Sequence, residues 1–284
     1  MATPALGAVI CLGTIPPLQM VFLGLLTAFA GYTAVYALND VVDYRVDREK
    51  IARFGLPASM NDLDAVYARH PLAQGLLTLR EGLWWTFAWG MVAFVGAYAL
   101  NPVCALIFAA GCAAEVVYCT MLRVSALRTV VSGGVKTAGA LAAVFAVVPN
   151  PPLLFLVVLF LWLFFWEIGG QNIPNDWTDL EEDRELDAET IPVRFGTEGS
   201  ALLIAAALAI ATVLSLFIYW TTPAKLHPAY LPGSLLVGVF LLILPARDLY
   251  RERSVGSAAA LFNRASYYPV CMLVVVLVSC IFAG

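Results

Sequence analysis

The sequence predicts an all-α, polytopic membrane protein, and three observations carry that prediction. Of 284 residues, 61% are hydrophobic and only 13% charged, where a soluble domain carries roughly a quarter charged residues. Apolar runs recur at the length of a bilayer crossing, about 20 residues with a range of roughly 17–25. The connections between them alternate between long charged segments and short uncharged ones.

Full crossings are expected at 17–38, 83–100, 103–122, 129–148, 152–172, 199–220, 229–246 and 266–283. Residues 4–15 (PALGAVICLGTI) are apolar but too short to cross, and Pro16-Pro17 ends them. They are half of a ninth crossing or a re-entrant piece. The charged connections are 39–82, 123–128, 173–198 and 247–265; the uncharged ones are 101–102, 149–151 and 221–228. Fourteen of the sixteen Lys and Arg fall in the charged set. Basic residues mark the cytoplasmic side, so the charged face is predicted to be cytoplasmic, in a bacterial or archaeal cytoplasmic membrane. A single domain over 1–284 is expected.

Other classes are disfavoured. The six cysteines all lie in apolar segments and no pair has C-x-x-C spacing, so packing outweighs a metal or disulfide role. His70 and His227 give no metal pattern, and no basic tract points to nucleic acid. Lys and Arg are absent before Arg45, so no cleavable signal peptide is expected.

The acidic residues need a separate explanation. Eighteen of twenty Asp and Glu share the charged face; only Glu115 and Glu167 lie within crossings. Acidic residues contribute little to topology. Asp40, Asp43 and Asp47 are spaced i, i+3, i+7, which places them on one face of a helix. Three like charges there repel, and a divalent cation would reverse that effect. Mg²⁺ typically takes one or two carboxylates and the phosphate oxygens of a substrate. Asn175-Asp176-x-x-Asp179-x-x-x-Asp183 repeats Asn39-Asp40-x-x-Asp43-x-x-x-Asp47 position for position. Two such clusters on one membrane face can hold metal ions against a diphosphate.

These residues resemble the UbiA superfamily of intramembrane prenyltransferases. Its first motif, N-D-x-x-D-x-x-x-D, is met by Asn39, Asp40, Asp43 and Asp47, and its second, D-x-x-x-D, by Asp179 and Asp183. The tail of the second motif is met by Asp187, Thr190, Pro192 and Gly196. HPLAQG (70–75) resembles the family's R-P-L-x-S-G stretch, with Arg69-His70-Pro71 standing where the family has Arg-Pro. The resemblance covers about residues 17–284. It implies nine transmembrane helices in a ring around a central cavity capped by cytoplasmic loops. It implies Mg²⁺ held by Asp40, Asp43, Asp47, Asp176, Asp179 and Asp183, a polyprenyl diphosphate donor, and attack by a small lipophilic or aromatic acceptor on the allylic carbocation.

Asp40, Asp43, Asp179 and Asp183 are therefore the expected catalytic acids. Arg123 and Arg128 both follow the crossing 103–122, and Arg123 is favoured as the catalytic cation. Asn39, Arg69, Tyr118, Lys136, Asn175 and Arg194 are the expected substrate contacts. Glu115, Glu167, Gln171 and Asn172 lie close enough to join them. The leading acceptor is an aromatic or quinone precursor; haem, a tetrapyrrole or a glycerol ether is the alternative, and a non-enzymatic transporter is the competing class. A CDP-alcohol phosphotransferase is rejected because Val41, not Gly, follows Asp40.

Overall fold

A computed structural model describes residues 2–55 and 70–283. The described chain is helical, with no strands. Its helices are α1 (Ala2–Leu12), α2 (Leu18–Phe54), α3 (Leu79–Leu100), α4 (Pro102–Thr120), α5 (Arg128–Val147), α6 (Leu153–Glu167), α7 (Ile173–Thr178), α8 (Leu180–Glu185), α9 (Ile191–Thr221), α10 (Tyr230–Gly238), α11 (Leu244–Glu252), α12 (Val255–Ser266) and α13 (Tyr268–Ala283). A π-helical turn, Ile168–Asn172, joins α6 to α7, and a second, Val239–Ile243, joins α10 to α11. Among the described residues, eight helical segments are long and apolar enough to cross a membrane. Helices are the expected solution, because backbone polar groups in hydrocarbon must be satisfied within the segment.

The apolar segment 4–15 becomes α1, a single short helix packed between α5 and α13. Its Leu6 and Ile10 are fully buried. Contacts then run from α2 to α3 and α4, through α5 and α6 to α9, and from α10 to α13.

Three expected boundaries move. The connection expected at 39–82 begins as helix: α2 continues unbroken through 39–54 and carries the first acidic motif. No Gly or Pro interrupts that run until Gly55, whose φ of 79° ends the helix. The 173–198 segment is also largely helical, forming α7, α8 and the start of α9, which is broken at Gly196. The last crossing begins earlier than 266, because α12 and α13 follow one another almost without a break from Val255.

Packing is uneven. The main core joins α1, α5, α6, α9, α10, α12 and α13, and its largest buried side chains include Trp162, Trp177, Tyr230 and Tyr268. Its aromatic polar atoms are satisfied internally. Trp162 Nε1 donates to Tyr268 Oη at 2.9 Å, Trp166 Nε1 to the Ala265 carbonyl at 3.0 Å, and Tyr230 Oη to the Ser215 carbonyl at 2.7 Å. In α2 and α3, large apolar residues such as Phe22, Leu26, Phe87 and Val95 are exposed, as a lipid-facing surface requires. Trp84, Trp85 and Trp220 lie exposed near helix ends, where amphipathic rings favour the membrane–water interface.

Close approach fixes the π-helical turn. A Cβ on Gly169 would stand 2.9 Å from Ala207 Cβ and 3.2 Å from the Ile204 carbonyl oxygen; one on Gly170 would stand 2.9 Å from Ala265 Cβ. Only glycine lets this turn seat against both α9 and α12. Gly169→Val is therefore expected to destabilise the detergent-purified protein by about 1–3 kcal/mol, read as a lower thermal unfolding midpoint. Gly24→Ala, with nothing within 4 Å, is expected to leave that midpoint unchanged or raise it.

Candidate active site

The first acidic motif lies on the last four turns of α2. Asp40 and Asp47 are two turns apart on one face of α2, and both carboxylates approach a third group. That group is His70, whose Nδ1 is 3.2 Å from Asp40 Oδ1 and 2.9 Å from Asp47 Oδ2. Asp47 is 4% exposed and its Oδ2 accepts no hydrogen bond. Asp40, Asp47 and His70 are brought together as a potential ligand set; Asp43 is not part of it. Asn39, expected at the substrate, anchors α2 to α4. Its Nδ2 donates to Glu115 Oε1 at 3.0 Å and to Cys119 Sγ at 3.3 Å.

The second motif repeats the first in sequence but not in backbone. The chain leaves the helical region at Asp179 (φ −98°, ψ 11°), which divides α7 from α8. Asp176 and Asp183 are buried and Asp179 is half-buried. Asp176 interacts electrostatically with both Asp179 and Asp183. The buried Ile173, Pro174 and Trp177 hold α7 against the core.

The end of α2 bridges the two motifs. Lys50 Nζ lies 3.9 Å from Asp183 Oδ1, and Arg53 donates to the Glu185 carbonyl at 2.8 Å. The carboxylates of both motifs thus share one end of the bundle.

Arg128 is a buried cation at this end, whereas Arg123, favoured on sequence, lies at its surface. Arg128 is 7% exposed and its Cζ lies 4.3 Å from the centroid of the Tyr118 ring. It interacts electrostatically with Asp176, Asp183 and Asp43, and its Nε lacks a hydrogen-bond acceptor. Arg123 is exposed, donating to Glu49 Oε2 at 2.7 Å and to the Leu186 carbonyl at 2.9 Å. The backbone explains the difference. Arg123 sits in the turn after α4, whereas Arg128 opens α5 and so enters the bundle with it. Arg194 likewise forms a surface pair with Glu189 at 3.0 Å. Arg69 lies outside the described residues.

Further from the acids, Lys136 Nζ stands 4.9 Å over the Tyr36 ring and 3.3 Å from its hydroxyl. Glu115 is buried, with its Oε2 lacking a hydrogen-bond donor. Asn172 Nδ2 donates to Ser132 Oγ at 2.6 Å. Asn175 is half-buried beside Asp176. Sequence spacing missed His70 and Lys50 as members of the cluster. The His70 signal was its place before Pro71, in the segment that resembles R-P-L-x-S-G.

The model of the UbiA prenyltransferase family matches residues 1–267. Protoheme IX farnesyltransferase of Shewanella denitrificans is 27% identical over 291 residues, covering 98% of this chain and 87% of the relative. Digeranylgeranylglyceryl phosphate synthase of Thermococcus sibiricus is 25% identical over 236 residues, covering 83% of this chain and 77% of the relative. Among solved structures, the apo form of a UbiA homolog from Aeropyrum pernix K1 superposes with a TM-score of 0.77 at 18% identity, over 98% of this chain and 96% of that one. A UbiA homolog from Archaeoglobus fulgidus bound to DMAPP and Mg²⁺ gives 0.70 at 16% identity, over 97% and 94%.

The electrostatics of the second motif make a testable statement about stability. Burial pushes the Asp183 carboxyl above its usual range; the Lys50 ammonium pulls it partly back, and the Asp179 carboxylate pushes it up again. An acid with a raised folded pKa favours folding when protonated. Below about pH 4 both states hold the proton and no cost arises. As pH rises through the folded pKa, the cost of the buried anion is fully present. In chelator-treated protein, Asp183→Asn is therefore expected to unfold at a higher temperature than the parent at pH 7. The gap should close as pH falls towards 4. Equal midpoints at both pH values would show that Asp183 carries no such cost.

Proposed function

The chain belongs to the UbiA prenyltransferase family, an integral, multi-pass membrane prenyltransferase, and from that premise we propose that its two acidic motifs bind the diphosphate of an isoprenyl donor through divalent cations. The observation that carries this reading is the convergence of both motifs on the buried Arg128. Carboxylates crowded without compensation repel one another, and Arg128 together with Lys50 neutralises only part of the charge on Asp43, Asp176, Asp179 and Asp183. The remaining charge, with a buried Asp47 oxygen that accepts no hydrogen bond, fits a cation site. Asp40, Asp47, Asp176, Asp179 and Asp183 would hold the metal. When bound, Mg²⁺ supplies neutralisation of the diphosphate charge without proton transfer.

The remaining work falls to the chain itself. Arg128 presents a planar donor suited to phosphate oxygens, already fixed by stacking on Tyr118 and so ready without reorganisation. Its Nε, without a protein acceptor, is free to donate to diphosphate. Loss of diphosphate leaves an allylic carbocation that must be kept from water, and the surrounding apolar helices exclude it. The Tyr118 and Tyr36 rings each carry a cation, Arg128 and Lys136, over one face, so only their opposite faces could stabilise a developing positive charge. The acidic end is assigned to the cytoplasmic face, on the distribution of Lys and Arg.

For the acceptor, the comparisons support a haem or glycerol-phosphate ether class ahead of the aromatic quinone precursor that leads on sequence alone. The relatives are named for protoheme IX farnesylation and digeranylgeranylglyceryl phosphate synthesis. The test is prenyl transfer by purified protein from farnesyl and geranylgeranyl diphosphate. Haem, a glycerol-phosphate ether and 4-hydroxybenzoate are offered as acceptors, and product mass is read out. Metal-dependent addition of a prenyl mass to haem or to the glycerol-phosphate ether is expected; transfer to 4-hydroxybenzoate alone would restore the quinone reading. Asp179→Ala is expected to abolish turnover in folded protein. Arg128→Gln is expected to raise the donor KM by about tenfold or more, since truncating one partner of a buried charge pair costs 2–5 kcal/mol. Arg123→Gln, at the exposed rim, is expected to change it less than threefold.

A further inference from the structure

The donor set on α2 is not made of carboxylates alone. We infer that His70 is itself a metal ligand, so that Asp40, Asp47 and His70 form a mixed nitrogen–oxygen site that favours a first-row transition ion, represented by Mn²⁺, over Mg²⁺. The inference rests on the metal–diphosphate reading of the acidic motifs and adds to it a residue and a selectivity.

The geometry suits a single ion. Ligand atoms held about 2.1 Å from an octahedral ion stand roughly 3.0 Å apart when adjacent. His70 Nδ1 is 3.2 Å from Asp40 Oδ1 and 2.9 Å from Asp47 Oδ2, and one ligand atom from each of the three residues lies within 4.8 Å of the others. A second observation points independently to a ligand. Asp47 is 4% exposed, and its Oδ2 is sealed from solvent yet accepts no hydrogen bond, although the imidazole nitrogen is beside it. His70 Nδ1 stands 2.9 Å from that oxygen without hydrogen-bonding to it, and a cation shared by the two atoms would satisfy a buried oxygen whose isolation is costly. The backbone at His70 agrees. Its φ is 53°, in the left-handed region that histidine enters more readily than most side chains, which sets the direction of the side chain at the start of the turn. The resulting turn closes through Gln74 N–H to the His70 carbonyl at 3.1 Å.

The chemistry of the donor set decides which ion. Carboxylate and water suit Mg²⁺ and Mn²⁺ alike, whereas imidazole suits the later first-row ions such as Fe²⁺, Ni²⁺ and Zn²⁺; Mn²⁺, the weakest binder of that series, is the paramagnetic probe that sets the most demanding test of the nitrogen ligand. Replacing a guanidinium by an imidazole at this position, as the R-P-L-x-S-G resemblance implies, would remove a cation that cannot ligate a metal and supply a ligand that can.

The test uses full-length, detergent-purified protein stripped with chelator and loaded with Mn²⁺ below one equivalent. Pulsed electron paramagnetic resonance then reports ¹⁴N coupling at the bound ion, and the continuous-wave spectrum reports free Mn²⁺ in competition with Mg²⁺. Expected are a directly coordinated nitrogen in the parent protein and its loss in His70→Gln. Mn²⁺ affinity should fall about tenfold or more, with Mg²⁺ affinity changing less than threefold. Mn²⁺ that binds without nitrogen coupling, or an unchanged affinity in His70→Gln, overturns the His70 assignment and leaves the acidic site standing. No Mn²⁺ or Mg²⁺ binding at all overturns both. Should His70→Gln fail to fold, the ¹⁴N coupling of the parent protein decides alone.

Discussion

The arrangement of the charged end depends on one buried guanidinium. Carboxylates from two helices distant in sequence are gathered where the bundle meets the interface, and mutual repulsion opposes that gathering. Arg128, stacked at 4.3 Å on Tyr118 and coupled to Asp43, Asp176 and Asp183, offsets part of it from within. Its position follows from helix order. The α4–α5 turn leaves Arg123 outside with Glu49 and delivers Arg128 inside. Lys50, 3.9 Å from the buried Asp183, and Arg53, bound to the Glu185 carbonyl, supply further ties from the end of α2.

The two acidic motifs are supported by different physics. The second rides on the dense half of the bundle. Glycines in the π-helical turn let it seat against α9 and α12, and Trp177 and Ile173 are buried beneath it. The first is carried by an extension of a crossing helix whose residues are mostly exposed or half-buried, and it is tied to neighbours by polar contacts such as Asn39 to Glu115. A repeated sequence pattern therefore produces one continuous helical face in one copy and two short helices in the other. The backbone follows its packing partners, Pro174 and the π-turn included, rather than the motif.

Composition, apolar run length and the alternation of charged and uncharged connections determined the helical membrane fold, because hydrocarbon leaves no other way to satisfy a backbone. They also determined that acids collect at one end, and the paired N-D-x-x-D-x-x-x-D patterns identified most of the carboxylates. Helix ends were less legible. The run after Leu38 is polar enough to look like a loop, yet nothing in it breaks a helix before Gly55. What only tertiary structure decided is which charges meet. Arg123 and Arg128 are equivalent in sequence, five residues apart, and only the start of α5 separates a surface anchor from a buried cation. His70 lies twenty-three residues beyond Asp47 and in no metal-ligand spacing, and only the turn at 70–75 brings its imidazole between Asp40 and Asp47. Periodicity reports faces within one helix. Contacts between segments depend on how the helices pack, and no local pattern encodes that.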